Sequence, residues 1–537
     1  MSIISIGVSG LNAAQVALTT SSNNITNVYT DGYNLETAKL AASTSGGVEV
    51  TTVDRTFDQF IATQLNASTS TESALSTYST EVSQIDDLLS DSTSDLDTLM
   101  QDFFSSLQTL TSDAGDSATR EEVIGSAETL TSQFNLLGSY LDDMQSSVSD
   151  QIGDSVDQVN DLTSQIASLN KQISNLGSVS DSAANTLLDQ RDALVTSLSA
   201  LVDVDVTEED NGSYSVSLSN GLSLVSGSKS SELVATASSS DPEQTTVSYV
   251  DAAGNVTSLA DSTITGGTLG GLLSFQNDTL STAQNALGQM AVALAVSFNA
   301  LQESGVDLNG DTGTAFFSVA DPVIYSDADN TGSASLSATF SDDISDLTTS
   351  NYTVSYSDSD GYSVTDASTG EAVDATYDAT AGTLTFGGLS VSISGTAADG
   401  DSFLIKPLSN AASSLTTVID DPSLIAAGTT SGESDNSVAL LMLDLQNQDL
   451  VGGSSTLSEA YASLVNDIGS TTSSISTQLD SQTSVTEQLT TLQSSSSGVN
   501  LDEEAADLVR YQAYYQACAK IVEVGSTVLD TILGLDA

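Results

Sequence analysis

The sequence predicts an α+β multidomain protein. Its amino- and carboxy-terminal regions form a long α-helical, coiled-coil-like rod, and antiparallel β domains are inserted between them. Three observations carry this reading. The 4 prolines, Pro242, Pro322, Pro407 and Pro422, leave both ends of the 537-residue chain without the strongest helix breaker. Apolar residues recur at heptad spacing in those ends. In the middle the apolar period switches to two, with Asn-Gly and Asp-Gly turn signals between the runs. A single hydrophobic core stops growing at roughly 250–300 residues, so a chain of this length divides into several units.

Residues 1–35 read as the amino-terminal helix of an inner terminal domain. Ile4, Leu11, Leu18 and Ile25 share one stripe, small Gly7, Ala14 and Ser21 lie beside it, and the helix runs into the Asn-rich turn "SSNNITNVYTDGYN". Residues 36–201 read as the first part of the helical rod. One heptad series there is Leu75, Val82, Leu89, Leu96, Phe103 and Leu110; a second runs from Leu130 to Leu176 with a stutter near Ile152. "TSDAGDSATR" is the turn between them, and "NTLLDQRDALVTSLSALV" forms a shorter helix.

From residue 202 to 265 the pattern is that of β hairpins in an inserted domain: Tyr214, Val216 and Leu218 alternate with Ser, Asn220-Gly221 turns, and Leu222 and Leu224 resume. Residues 266–315 return to helix, rejoining the rod or packing on the insertion. Residues 316–410 read as an outer antiparallel β domain, a sandwich or small barrel, from the alternation at Tyr352, Val354 and Tyr356 and again at Leu384, Phe386, Val391 and Ile393. A linker over 411–435 leads to the second part of the rod at 436–499 and to a carboxy-terminal helix at 500–537. In that last helix Leu501, Leu508, Tyr515, Val522 and Leu529 fall at heptad spacing, accompanied by Tyr511, Cys518 and Ile532.

Composition excludes several functions. With 72 acidic against 9 basic residues and a net charge of -63, the chain has no electrostatic footprint for nucleic acid or an anionic membrane surface. So acidic a chain repels its own copies unless salt screens it, which points to a salty working medium. There is no His, the usual general base and commonest transition-metal ligand. The single cysteine, Cys518, cannot form an intrachain disulfide and reads as a small packing residue. No Lys or Arg precedes Lys39, so the positive region of a secretory signal is missing; with no uninterrupted apolar run of about 20 residues, no membrane insertion is expected.

Few motifs invite chemistry. "DLNGDTGTAF", Asp307 to Phe316, alternates acidic and amide side chains but has Thr312 and Ser318 where a calcium loop needs Gly and Glu, so it reads as a turn. "GGTLGG", Gly266 to Gly271, lacks the Lys-Ser/Thr ending of a phosphate loop and reads as close backbone packing before a helix. Arg191, flanked by Asp189 and Asp192, suggests an ion pair. No nucleophile sits with a base, and no catalytic residue, metal ligand or cofactor is expected.

The terminal stripes are the candidate site. Each lacks a partner within its own segment, and a few aliphatic side chains do not offset the backbone entropy of a segment of about 25 residues. The ends are therefore expected to be largely disordered in a free monomer and to order in an assembly; the alternative is that both stripes belong to an ordinary helical bundle inside a monomer. The assembly residues are Ile4, Leu11, Leu18, Ile25, Leu501, Leu508, Tyr511, Tyr515, Cys518, Val522, Leu529 and Ile532.

"SGLNAAQVALTTSSNNITNVYTDGY", Ser9 to Tyr33, resembles the amino-terminal signature of bacterial flagellar rod, hook and hook-associated proteins. The blocks "LLDQRDALVTSLSALVDV", "GGTLGGLLSFQND", "FNALQESGVDLNGDTGTAFF", "DGDSFLIKP", "AYASLVNDIG" and "SGVNLDEEAADLVRYQAYYQACAKIV" are similar, in order and spacing, to the hook-associated protein 1 family of flagellar axial proteins. That resemblance implies a structural subunit in a homo-oligomeric ring joining hook protein to the filament side, where the neighbour is the second junction protein or flagellin. It implies an extracellular place on the flagellum, reached unfolded through the flagellar export apparatus without a cleaved signal, with an export chaperone on the carboxy-terminal helical region. The alternatives are another axial protein, either the hook subunit or the second junction protein, and a secreted β-domain adhesin or calcium-binding protein.

Overall fold

The computed structural model describes residues 2–44, 46–90, 95–176, 182–251, 253–432 and 434–535. Helix α1 (Ile3–Thr26) leads into a hairpin of β1 (Glu36–Ala42) and β2 (Val48–Arg55). This corrects the assignment of residues 36–201 to helix throughout. Val48, Val50, Thr51, Thr52 and Val53 favour extended backbone. Gly46 and Gly47, at φ 85° and 90°, make the turn that a side chain would oppose.

Four helices follow: α2 (Gln59–Leu89), α3 (Leu96–Ser112), α4 (Ser117–Leu176) and α5 (Ser182–Leu201). The heptad series expected to be one helix is split between α2 and α3. Helix α2 ends at Leu89, and Asp95 starts α3 as its cap, its carboxylate accepting the Asp97 N–H at 3.1 Å. In contrast α4 runs 60 residues and buries Leu130, Phe134, Leu137, Leu141, Met144, Val148, Ile152, Val156 and Val159, so the change of phase near Ile152 is absorbed within one helix.

Two antiparallel sheets come next. One holds β3 (Val204–Glu208), β4 (Tyr214–Leu218), β5 (Ser223–Ser226) and β6 (Lys229–Ser230); the other holds β7 (Glu232–Ala237), β8 (Thr245–Val250) and β9 (Val256–Ser258). Both lie against α4. Helix α6 (Gly267–Ser274) passes through a π-helical turn, Phe275–Leu280, into α7 (Ser281–Ser304). The glycines before and within α6 allow close approach as expected: a Cβ on Gly271 would stand 2.5 Å from the Ala74 carbonyl of α2.

Beyond α7, the Asp307 carboxylate accepts the N–H groups of Asn309 and Asp311 at 2.8 and 2.9 Å, forming a turn. After β10 (Phe317–Ser318) the outer domain is a sandwich whose strands are β11 (Val323–Ser326), β12 (Ser335–Phe340), β13 (Tyr352–Ser357), β14 (Gly361–Asp366), β15 (Thr376–Asp378), β16 (Thr383–Phe386), β17 (Leu389–Ser394) and β18 (Ser402–Lys406). The sheet orders are β11-β18-β13-β14 and β12-β17-β16-β15. Tyr352 of the first meets Phe386 of the second, with ring centroids 5.2 Å apart.

Much of the stretch expected as a linker, 411–435, instead joins the core, with burial concentrated at 411–415 and 425–428. Helix α8 (Ala411–Ser414) and β19 (Thr416–Thr417), which pairs with β10, bury Ala411, Ala412 and Leu415, and Ile425 and Ala427 follow them into the core. Arg120 of α4 secures this stretch, donating to the carbonyls of Pro422 and Ile425 at 3.0 and 2.7 Å. Its guanidinium is buried among backbone oxygens, and burial lowers its pKa. Proline and small residues disguised these contacts in the sequence.

The chain closes through α9 (Ser437–Asp444), α10 (Leu457–Ser497) and α11 (Leu501–Leu535). Helix α10 returns along α2, where Gln482 Nε2 reaches the Ser68 hydroxyl at 2.7 Å. Helix α11 packs on α1. The expectation of disordered free ends is thus replaced by two complete helices, each supplying the partner that the other segment lacks.

Candidate assembly site at the paired termini

Helices α1 and α11 are antiparallel. Ile4 meets Gly525 near one end of the pair, and at the other the Ser21 hydroxyl donates to the Glu504 carbonyl at 3.2 Å. The α1 residues at the seam are small. Gly7, Gly10, Ala13, Ala14, Ala17, Thr20, Ser21 and Asn24 are buried, and Gly7/Ala14/Ser21 with Gly10/Ala17/Asn24 form the true inner heptad. Added Cβ atoms would stand 2.7 Å from Val522 at Gly7 and 2.5 Å from the Cys518 sulfur at Gly10. The helices therefore touch nearly backbone to backbone.

The sequence-derived stripe of Ile4, Leu11, Leu18 and Ile25 lies one position beside that seam, half-buried. On α11, Cys518 is buried in the seam, and Leu508, Tyr511 and Val522 are half-buried along it. Leu501, Tyr515, Leu529 and Ile532 are exposed. So too are Ile3, Ile6 and Val8 on α1 and Val509, Ile521, Val524, Val528 and Leu533 on α11. By helical phase, Tyr514, Ile521, Val528 and Ile532 border the seam on one side, while Leu501, Leu508, Tyr515 and Leu533 border it on the other. Both sides of α11 thus present apolar rows, and its last turns run past the start of α1 with Leu533 61% exposed. A helix with so broad an apolar surface needs further cover.

Uncharged throughout, α1 is by length and composition alone long and apolar enough to cross a membrane. Interspersed polar residues such as Asn12, Gln15 and Thr19 keep it from being a continuous apolar run. The β1–β2 hairpin folds back along it, the Val48 N–H donating to the Ser9 hydroxyl at 3.3 Å.

The root of the pair is a polar junction. Asn24 is buried and engages on both sides: Nδ2 donates to the Glu36 carbonyl and the Glu504 carboxylate at 2.9 and 3.0 Å, while Oδ1 accepts from the Glu36 N–H and the Tyr33 hydroxyl at 3.1 and 2.8 Å. Burial, then the carboxylates of Glu36, Asp189 and Glu504, raises the Tyr33 pKa and keeps its hydroxyl a donor. The Leu35 N–H donates to the Ser497 carbonyl at 2.8 Å, joining the turn to the end of α10.

Arg55 ties the hairpin to α5. Its Nη1 pairs with Asp189 at 2.8 Å and its Nη2 with Asp192 at 2.7 Å, while Phe57 lies under the guanidinium at 4.4 Å. Burial alone would lower the Arg55 pKa; the two carboxylates outweigh it and raise it. Asp189 also accepts Asn34 Nδ2 at 2.7 Å, and Asp192 accepts the Tyr214 hydroxyl at 2.8 Å. Burial, then Asp192, pushes the Tyr214 pKa up to about 12. Arg191 does not pair with its flanking aspartates as their spacing suggested. It lies over the Tyr214 ring at 3.4 Å and donates to the Gly212 carbonyl at 2.7 Å, and burial lowers its pKa.

Sequence reasoning reached the helices and missed this junction, because Asn24, Arg55 and Asp189 are brought together only by folding. The signal available was Asn24 itself, a polar residue at seam spacing from Gly10 and Ala17. Among the described residues no group of three or more Cys, Asp or Glu side chains converges as a metal site.

Family models match in four places: flagella basal body rod protein at residues 4–34, the helical domain of flagellar hook-associated protein FlgK at 82–317, the D2-like domain of flagellar hook-associated protein 1 at 325–407, and the flagellar basal body rod FlgEFG protein C-terminal region at 493–535. Flagellar hook-associated protein 1 of Escherichia coli (strain K12) is 41% identical over 548 residues, covering 99% of this chain and 100% of the relative. A protein of the same name from Bacillus subtilis (strain 168) is 23% identical over 345 residues, covering 57% of this chain and 68% of the relative. Among solved structures, the flagellar hook junction protein FlgK from Burkholderia pseudomallei matches with a TM-score of 0.75 and 31% identity, covering 81% of this chain and 100% of that one.

Proposed function

The chain belongs to the flagellar hook-associated protein 1 family, and on that premise we propose how this structural subunit at the junction between hook and filament makes its contacts. Copies associate through the apolar rows on either side of the α1–α11 seam, forming a ring with hook protein on one side and the second junction protein or flagellin on the other. The observation that carries this is the row of large apolar side chains left open on α11 after α1 has taken the centre of its face. Asp502, Gln512, Gln516, Lys520, Glu523 and Asp530 lie, by helical phase, roughly opposite the seam, and in such a ring they face water in a central channel. The role is structural, with no catalytic residue and no membrane insertion.

The place proposed for the subunit is extracellular. Export proceeds unfolded through the flagellar apparatus without a cleaved signal, and a chaperone covers the carboxy-terminal helical region beforehand. The exposed apolar rows of α11 supply the reason for such cover, since they would otherwise aggregate. The test is full-length protein carrying Val528→Asp and Ile532→Asp in a strain lacking the gene. The expected result is folded protein without filament attachment; normal attachment would overturn the assignment of these rows.

A further inference from the structure

The outer sandwich is seated on the rest of the chain along two unlike sides. On one, Ile344 and Leu347 of the β12–β13 connection are buried. Helix α7 holds that connection through Asn285, whose Nδ2 donates to the Thr349 carbonyl at 3.0 Å, and through Gln289, which donates to the Leu347 carbonyl. The strand leaving the sandwich is anchored on the same helix, for a Cβ on Gly288 would stand 2.1 Å from the Leu408 carbonyl. The other side is polar. There the β7–β8 loop crosses the sandwich as a strap: the Ala328 N–H donates to the Ser239 carbonyl at 3.1 Å and the Ser239 hydroxyl to Asp327 at 3.3 Å. Lys406 Nζ, at the end of β18, lies 3.0 Å from both Asp241 and Glu243, and the Tyr325 hydroxyl also bonds to Glu243. Lys406 and Asp241 are buried, while Glu243 is half-open. Between this strap and α4 lies a polar cleft of about 510 Å3, with Asp142, Asp150, Glu243 and Lys406 in its lining.

We infer that Lys406 is a releasable latch: engaged, it fixes the angle at which the outer sandwich stands on the rod, and released, it lets the sandwich pivot on its α7 side and widen the cleft against α4. The device works within a single copy and is independent of how copies meet. Lys406 is the only Lys or Arg between Lys229 and Arg510. It pairs with Asp241 and Glu243 of the loop, and Asp142 and Asp150 of α4 line the same cleft, so one cation offsets four carboxylates. Without it those carboxylates repel one another, and the buried Asp241 is stabilised by swinging into water. On the strap side the contacts are hydrogen bonds and ion pairs, which water replaces at modest net cost, whereas release on the α7 side would expose Leu347. Opening therefore begins at the strap, and the α7 side is the hinge.

The experiment uses full-length protein with Cys518→Ser and spin labels on Gln158→Cys of α4 and Thr380→Cys of the β15–β16 turn, both exposed positions, and reads the distance distribution between them by double electron–electron resonance. Lys406→Met should broaden or lengthen a distribution that is narrow in the parent. Adding Asp241→Asn and Glu243→Gln to Lys406→Met removes the uncompensated charge and should close it again; an opening that persists in the neutral variant would mean lost packing and overturn the latch. In amide exchange, Lys406→Met should speed Ala328 by about a hundredfold, as the loss of one partner from a buried ion pair implies, while Leu347 exchanges as in the parent. Parent-like distances together with parent-like exchange at Ala328 would overturn the latch, and equal loss of protection at Ala328 and Leu347 would overturn the hinge. Should Lys406→Met fail to fold, Asp241→Asn gives the same readouts, since it keeps the loop's shape and the bond that Oδ1 accepts from the Glu243 N–H at 3.1 Å. It should speed Ala328 by about tenfold and leave Leu347 unchanged; no change at Ala328 would overturn the inference.

Discussion

Asn24→Asp isolates the junction that fixes the terminal pair. The substitution preserves shape and keeps the two bonds that Oδ1 accepts, from the Glu36 N–H and the Tyr33 hydroxyl. It removes both donated bonds and sets a carboxylate 3.0 Å from that of Glu504. Losing a bond to a carboxylate and one to a carbonyl costs about 2–4 kcal/mol. Two charges at that separation repel by about 5 kcal/mol at an effective dielectric near 20, of which roughly 1–2 kcal/mol remains after discounting for the half-open Glu504. A total of about 3–6 kcal/mol corresponds to a ~10²- to 10⁴-fold larger open population of α1.

The assay is amide hydrogen exchange along α1 and the start of α11, compared between variant and wild type at the same pH. The repulsion raises the pKa of the new carboxyl in the folded state above its unfolded value of about 3.9. The penalty is therefore full above the folded pKa and fades as pH falls towards the unfolded value. Protection in α1 should be lost at pH 7 and partly regained in acid. Wild-type protection at pH 7, or a deficit that does not shrink in acid, would refute this account of the junction.

Arg55→Met leaves Asp189 and Asp192 without their cation and should destabilise the contact of hairpin and α5 by about 3–5 kcal/mol, read as faster exchange in β1, β2 and α5, with partial recovery when both aspartates become Asn. Gly10→Val drives its side chain into Cys518 and should open the α1–α11 seam, seen as lost protection in both helices; Gly125→Ala, where a Cβ meets nothing within 4 Å, should instead stabilise α4 by about 1 kcal/mol. Burial raises the Asp142 pKa, so its charge opposes folding at neutral pH, and Asp142→Asn should raise the melting temperature at pH 7 by a margin that closes as pH falls into the carboxylate range and the wild type takes up its proton.

Legibility in the sequence followed the range of the interaction. The seam of α4 was readable because its burial repeats every three or four residues, and Leu130 to Val159 are buried as their spacing required. The sandwich was readable from alternation, as at Tyr352 and Val354. The β1–β2 hairpin was not, since its strands bury little and the alternation is confined to a few residues of β2. The segment 411–427 was hidden because its anchor, Arg120, lies some 300 residues away in sequence. In α1 the eye follows Ile and Leu, but the inner positions belong to Gly, Ala and Ser, which carry almost no hydropathy signal.

That last inversion has a mechanical consequence. A seam of Gly and Ala buries little apolar area per residue, so the hydrophobic contribution that holds α1 to α11 within one chain is small compared with an Ile/Leu seam. The large side chains are kept for the outer rows, which stay exposed after the pair has formed. Under the proposed function, affinity between copies and orientation within a copy would be controlled by different residues: the rows would set how strongly neighbours join, and Asn24, Arg55 and Asp189 the direction in which the rows point. Changes in the rows should therefore shift the concentration at which copies associate without altering the assembled geometry. Changes at the junction should let copies associate with the terminal pair misdirected, giving aggregates or irregular rings.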